Sequence, residues 1–236
     1  MFRYIIFTVC LIAGVIGSAG SIISLRSGQY KVDISRDNAY TMNGISYDGV
    51  NFAVPGGAYN FTLEPAPSKS IGSAFTEGGE EKIESVSIEV DGKKMPLDKS
   101  TAINGKKIVL KKVSLLDNLT LYTEIIVSPY GIRENKYFEI IEEQEVHAIN
   151  LYLYNWNSKT SGWAAGLSNG DKEAGLFGAK IEGKTRWHLE DDVKWYAIED
   201  QAKSKGMLVY FPEVIRGENT KSSFMEIKDR YIKYSL

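Results

Sequence analysis

The residues able to do chemistry gather in three places. The first is VHAINLYLYNWNSKTSGW, residues 146–163. Read at period two, Asn150, Tyr152, Tyr154 and Trp156 point one way with Ala148. His147, Ile149, Leu151 and Leu153 point the other. Flat rings with polar edges cover the C–H faces of a sugar, and amide or hydroxyl groups bond its rim. The same pattern also suits an aromatic layer packed between two sheets. The segment before it repeats the period with Arg133, Asn135, Tyr137 and Glu139, and one earlier still carries Tyr122 and Glu124. If these segments pair in register, a cation and carboxylates join the aromatic row. Burying Arg133, Glu139 and Asn150 unpaired would be expensive, which favours a ligand-facing surface.

The second place is Arg186-Trp187-His188-Leu189-Glu190-Asp191-Asp192, followed by Lys194-Trp195. A lyase acting on uronic acid chains needs a base, His or Tyr, and a group that neutralises the substrate carboxylate. A hydrolase needs two carboxylates at a set separation. His188 with Tyr154 could supply the first, and Trp187 and Trp195 could stack on a sugar. The stretch reads equally as a solvated acidic turn before a strand. A metal site from His188, Asp191 and Asp192 is a weaker alternative, since their ligand spacing is not diagnostic; the expectation is no metal and no cofactor. The third place is Thr76-Glu77-Gly78-Gly79-Glu80-Glu81, where two glycines permit close backbone approach and Glu77 could accept sugar hydroxyls. The alternative there is an ordinary glycine turn. His147 reads as a core residue, or as a second candidate base if its strand end opens to the cleft.

The elements that must position these groups are strands. Alternating segments cover 30–34, 40–47, 50–54, 58–63, 107–116, 119–127 and 132–141, and shorter ones cover 174–180, 194–198, 207–211, 225–227 and 231–234. In the segment ending at Val90, Val86, Ile88 and Val90 face inward. Asp48-Gly49, Asp91-Gly92, Asn104-Gly105, Asp117-Asn118 and Pro129-Tyr130-Gly131 mark the turns of an antiparallel meander. Residues 64–73, rich in Pro, Ser and Gly, read as loop. The best helix candidate, 199–205, is only about two turns long.

The bulk numbers fit that plan. The chain has 236 residues, 43% hydrophobic and 25% charged, with a formal net charge of −2, the profile of an ordinary globular protein. No basic block is present, which argues against nucleic acid as a partner. Fourteen tyrosines and four tryptophans suit both sheets and stacking surfaces. Residues 1–19 carry Arg3, an apolar run and Gly17-Ser18-Ala19, the pattern of a cleaved secretory signal. An uncleaved anchor is the alternative, although the run is short for a span of roughly 20 residues. The only cysteine, Cys10, lies in that segment. The mature chain would then have no disulfide and no stable membrane insertion, and would be secreted or periplasmic.

Five features occur in a familiar order: a Thr-Glu-Gly-Gly-Glu turn (Thr76 to Glu80), a Val-Asp-Gly-Lys hairpin (Val90 to Lys93), long strands ending in Tyr154-Asn155-Trp156, a Lys194-Trp195-Tyr196-Ala197 strand, and a Gly-Met-Leu-Val-Tyr-Phe-Pro strand (Gly206 to Pro212). In this order the chain resembles the galactose mutarotase-like supersandwich proteins of bacterial carbohydrate metabolism, in their exported version. The resemblance implies two stacked antiparallel sheets, one with a concave face that holds a sugar. In true mutarotases a His and a Glu on that face are catalytic. Phe75 stands where relatives carry a His before the glycine turn, so that pair does not transfer.

The expectation is one all-β domain over residues 20–236, a large antiparallel β-sandwich. It would bind or process a saccharide or polysaccharide on an aromatic concave face. A polysaccharide lyase, a sugar epimerase and a structural envelope sandwich that binds protein are the other readings.

Overall fold

Aspartate–glycine turns fold the chain back where the sequence places them. Asp48 and Gly49 have φ of 46° and 75°, and Asp91 and Gly92 have 51° and 80°. Two successive positive φ angles match the right-handed twist of the flanking strands, and glycine takes the second without a Cβ clash. The computed structural model describes residues 22–53, 59–66, 69–72, 80–97, 101–142, 148–154, 161–177, 186–188, 193–200, 204–210, 224–226 and 231–235. The expected signal segment, Glu77, His147 and Trp156 lie outside the described residues. For Tyr152, Tyr154, Trp187 and His188 the strand and its register are described.

Twenty strands follow in order, with no helix among the described residues. They are β1 (Ile22–Ser27), β2 (Tyr30–Ser35), β3 (Thr41–Tyr47), β4 (Val50–Ala53), β5 (Tyr59–Ala66), β6 (Lys69–Gly72), β7 (Lys82–Val90), β8 (Lys93–Met95), β9 (Ala102–Asn104) and β10 (Ile108–Leu116). Then come β11 (Leu119–Ser128), β12 (Gly131–Ile140), β13 (Ala148–Tyr154), β14 (Gly162–Leu167), β15 (Lys172–Leu176), β16 (Arg186–His188), β17 (Val193–Asp200), β18 (Lys205–Tyr210), β19 (Phe224–Glu226) and β20 (Tyr231–Ser235). Four ladders result. Sheet I runs β4-β3-β2-β1-β9, sheet II β12-β11-β10-β7-β8, sheet III β16-β19-β20-β13-β5-β6 and sheet IV β15-β14-β17-β18. All pairs are antiparallel except β1 with β9.

The ladders stack as a β-sandwich through the apolar phase of each strand. Ile23, Leu25, Val32 and Ile34 of sheet I pack on Ile88, Ile108, Leu110, Ile125 and Val127 of sheet II. Val50 and Phe52 at the other side of sheet I meet Trp163, Ala165, Leu167, Tyr196 and Ile198 of sheet IV. Leu63 and Ile71 of sheet III close over Leu116, Leu119 and Leu121 of sheet II. Burying this much aliphatic surface is the dominant favourable term.

Three expectations need correction. The strand carrying Arg133, Tyr137 and Glu139 does not pair with the strand carrying Asn150, Tyr152 and Tyr154. β12 pairs with β11, whereas β13 lies between β20 and β5 in another sheet. The chain changes sheets between them, so sequence neighbours are not ladder neighbours. Residues 64–73 hold the end of β5 and all of β6. Of the helix candidate 199–205, Glu199 and Asp200 end β17 and Lys205 begins β18, and the two strands pair antiparallel in register.

Candidate functional site

Two-residue turn geometry sets up the clearest solvent-facing surface. Ser128 pairs with Gly131 across Pro129-Tyr130, and the register then runs without a shift to Leu119 and Ile140. Alternation sends Leu121, Thr123, Ile125 and Val127 inward, all of them buried. It sends Tyr122, Glu124 and Ile126 outward beside Tyr137, Asn135 and Arg133. Arg133, Asn135, Tyr137 and Glu139 are exposed, Tyr137 at 60%.

These outward groups are already ordered by one another. Tyr122 and Tyr137 stack with ring centroids 4.7 Å apart and planes 11° from parallel. The Tyr122 hydroxyl donates to Glu139 Oε2 at 2.9 Å. Asn135 Nδ2 donates to Glu124 Oε2 at 2.8 Å, and Lys111 Nζ on β10 lies 3.7 Å from Glu124 Oε1. The hydrogen bond to Glu139 raises the Tyr122 phenol above its ordinary value, assisted by partial desolvation and by the Glu139 charge. The result is an exposed pair of stacked rings with Arg133, Asn135, Glu124 and Glu139 on the same outward phase. That combination matches the amphipathic faces of a pyranose ring.

Asn150 behaves differently from the expectation. It is fully buried, and its Nδ2 donates to Thr62 Oγ1 at 3.3 Å and Glu64 Oε1 at 2.7 Å on β5. A buried amide must satisfy its donors internally, and this one ties β13 to β5 instead of lining an open rim. Backbone register nevertheless brings several predicted residues of sheet III together. His188, Phe224, Lys233, Tyr152 and Asn60 form one cross-strand row, and Arg186, Glu226, Tyr231 and Tyr154 form the next like-phase row. Trp187 falls in the alternate row with Met225, Ile232 and Leu153. At a strand spacing of about 4.8 Å, His188 and Tyr152 are roughly 14 Å apart across the sheet.

Trp195 lies on the outer face of sheet IV, half-buried, paired with Gly166 on one side and with the exposed Tyr210 on the other. Its indole covers Gly166, where a Cβ would collide with it. Neither Trp195 nor the sheet III rows belong to the ladder that holds Arg133, Tyr137 and Glu139.

One constellation escaped the sequence reading. Lys112 and Glu81 form an ion pair at 2.7 Å, with side chains 1% and 0% exposed. Lys112 Nζ also donates to the Ala39 carbonyl at 2.6 Å, and Ser114 Oγ donates to Glu81 Oε1 at 2.5 Å. Burial pulls the Lys112 ammonium down to about 8, against the opposing pull of Glu81. The signal was present: in IVLKKVSLL, Lys112 occupies the inward phase between Leu110 and Ser114. Beside this pair, Arg36, Tyr40, Ile83, Glu84, Val86 and Leu97 line a shallow cleft of about 530 Å³. Among the described residues, no three His, Cys, Asp or Glu side chains converge as a metal site would require.

No protein-family model matches this chain. No curated protein matches it either. Among solved structures, the chain is similar to one from Escherichia coli K12 whose description proposes an aldose 1-epimerase. The identity is 11%, the match covers 91% of this chain and 87% of that chain, and the TM-score is 0.42.

Proposed function

We propose that this chain is an exported carbohydrate-binding β-sandwich whose saccharide lies on the outer face of β10, β11 and β12. One observation carries the reading. The Tyr122–Tyr137 stack is open to solvent and ringed by Arg133, Asn135, Glu124 and Glu139. Leu121, Ile125 and Val127 fill the inward phase of β11, and the ring pair stands on the solvent side. The stack and its hydrogen bonds hold the platform rigid, so binding loses little side-chain entropy. Arg133, exposed beside Ile126, gives uronate-containing chains an advantage over neutral ones. The test is calorimetric titration of the chain lacking residues 1–19 with neutral and uronic oligosaccharides. Tyr137→Ala should weaken binding about tenfold, or ~1.4 kcal/mol. Wild-type and variant proteins that both ignore the whole panel would end the proposal.

A second reading is a lyase or epimerase built on sheet III. It is favoured by the register that lines up His188, Lys233 and Tyr152 in one row and Arg186, Glu226, Tyr231 and Tyr154 in the next. His188 or Tyr154 would act as base and a neighbouring cation would neutralise the substrate carboxylate. Ultraviolet absorbance of unsaturated product from uronate polymers, lost in His188→Ala and Tyr154→Phe, would support the lyase. A flat trace on the same polymers would remove it.

A further inference from the structure

We infer that the ligand of the sheet II surface is a linear oligosaccharide with a neutral unit seated against Tyr122, over Val113 and Ser85, and a uronate unit at Arg133. The inference rests on the saccharide reading above and adds the place, length and charge order of the ligand. Tyr122 and Tyr137 are ladder partners. Their ring centroids are 4.7 Å apart, which matches the spacing of neighbouring strands, about 4.8 Å. The rings therefore stack across the strands, and each covers one face of the other. The second face of Tyr122 looks toward β10. Its partner there is Val113, and Ser85 of β7 follows in the same row. Val113 is half-buried and Ser85 exposed. Both side chains are short, so a sugar ring at this corner meets an aromatic wall and a low floor, and covers apolar surface on two sides.

Charge at the corner is mixed. Lys111 and Lys82, both exposed, flank the floor, and Glu84, Glu124 and Glu139 stand around them. A sugar carboxylate gains nothing from two ammonium groups set among three carboxylates, whereas hydroxyl groups find both donors and acceptors. Arg133 is differently placed. It is exposed, and its ladder row runs through Ile126 and Val109 before reaching a carboxylate, Glu89. It lies two strands and two like-phase rows from Val113. Ordinary strand spacing and rise make that about 16 Å, the reach of about three sugar units in an extended chain. The path between them crosses Glu124, which Asn135 and Lys111 hold in place. That carboxylate accepts hydroxyls and repels an acid on the middle unit. Preference for an acidic chain therefore arises at the far unit, where Arg133 can take a carboxylate in a bidentate pair.

Titration of the protein with neutral galacto-oligosaccharides and with oligogalacturonides of one to four units, followed by backbone ¹H–¹⁵N chemical shifts, reads seat and charge order together. Monosaccharides of both kinds should bind with affinities within about twofold of each other and move the amides of Val113 and Ser85. At three units the uronic series should bind at least fivefold tighter than the neutral one, and Arg133→Gln should abolish that difference. Val113→Glu, on the solvent phase of β10, should weaken binding of every length at least tenfold, with circular dichroism checking its fold. A uronate preference already complete in the monosaccharide, or a folded Val113→Glu protein that binds like wild type, overturns the inference and leaves the saccharide reading standing. Saccharides of both series that move no amide at any length end both.

Discussion

Lys112 and Glu81 hold each other at 2.7 Å in a place with almost no water. Lys112 reaches this position on the apolar phase of β10, between the fully buried Leu110 and Ser114. It also holds the Ala39 carbonyl, at a turn where Ala39 and Tyr40 both have positive φ, 50° and 53°. Each such non-glycine residue costs about 1–2 kcal/mol, so the ammonium pins a turn that would otherwise relax. Among the described residues Glu81 Oε2 has no hydrogen-bond partner, and Lys112 is the neutralising charge of this carboxylate.

Removing one member should therefore hurt more than removing both charges. Lys112→Met leaves Glu81 ionised and buried, and should cost about 3–5 kcal/mol. Glu81→Gln combined with Lys112→Met should recover most of that loss. Urea unfolding at pH 7 measures both. Equal losses for the single and double variants would show that the pair contributes packing rather than charge.

The same lysine sets a pH dependence. Burial lowers its pKa from 10.5 to about 8, with Lys136 adding to the shift and Glu81 and Glu134 opposing it. Between those values the unfolded chain binds the proton and the folded chain does not. Stability then rises with pH across the window, by on the order of 3 kcal/mol from this group. Below pH 8 the full cost of burying the cation is present. Comparing urea midpoints of wild type and the Glu81→Gln, Lys112→Met double variant at pH 7.5 and 10 isolates the effect, because the titrations of other groups are common to both. A constant difference between the two proteins would refute the assignment.

A glycine is equally constrained in sheet IV. Gly166 on β14 lies under the Trp195 indole, and Gly175 on β15 lies under the Trp163 indole, with a Cβ at Gly175 only 2.9 Å from Trp163 Nε1. Gly166→Ala should displace Trp195, shift its fluorescence and destabilise the sheet by about 1–3 kcal/mol, the usual cost of overpacking. Gly170→Ala is the control for glycine loss without a clash, since a Cβ there meets no described residue within 4 Å. Its φ of 98° still strains any side chain, so the fluorescence shift, absent in the control, is the decisive readout.

Much of this architecture could be read from residue types, for identifiable reasons. The β10–β12 meander alternates without interruption, and its turns carry Asp117 and Gly131 at positive φ. The outward grouping of Tyr122 and Glu124 with Asn135 and Tyr137 follows from that alternation alone. β14 could not be read the same way. GWAAGL lacks β-branched residues, and its strand form is imposed by Trp163 and by Trp195 from the next strand, packing over neighbouring glycines. The placement of β13 was equally out of reach, because nothing local says that the chain leaves sheet II after Ile141. Asn150 illustrates the consequence. Its period-two phase put it beside the tyrosines, yet its partners Thr62 and Glu64 are almost ninety residues away.

The tyrosine platform offers the most direct chemical test of the candidate surface. The Tyr122 hydroxyl bond to Glu139 raises its pKa, because ionising the phenol would remove the donated proton and set two anions face to face. Spectrophotometric titration should therefore contain a tyrosine ionising above the ordinary phenol value. Glu139→Gln should bring it down, and Tyr122→Phe should delete it. If the rings bind saccharide, saturating ligand should change this ionisation. Tyr122→Phe keeps the ring stack and loses only the hydroxyl, so it should retain most of the affinity that Tyr137→Ala loses. Equal damage from the two substitutions would mean that the hydroxyl–carboxylate bond, rather than the ring face, meets the ligand.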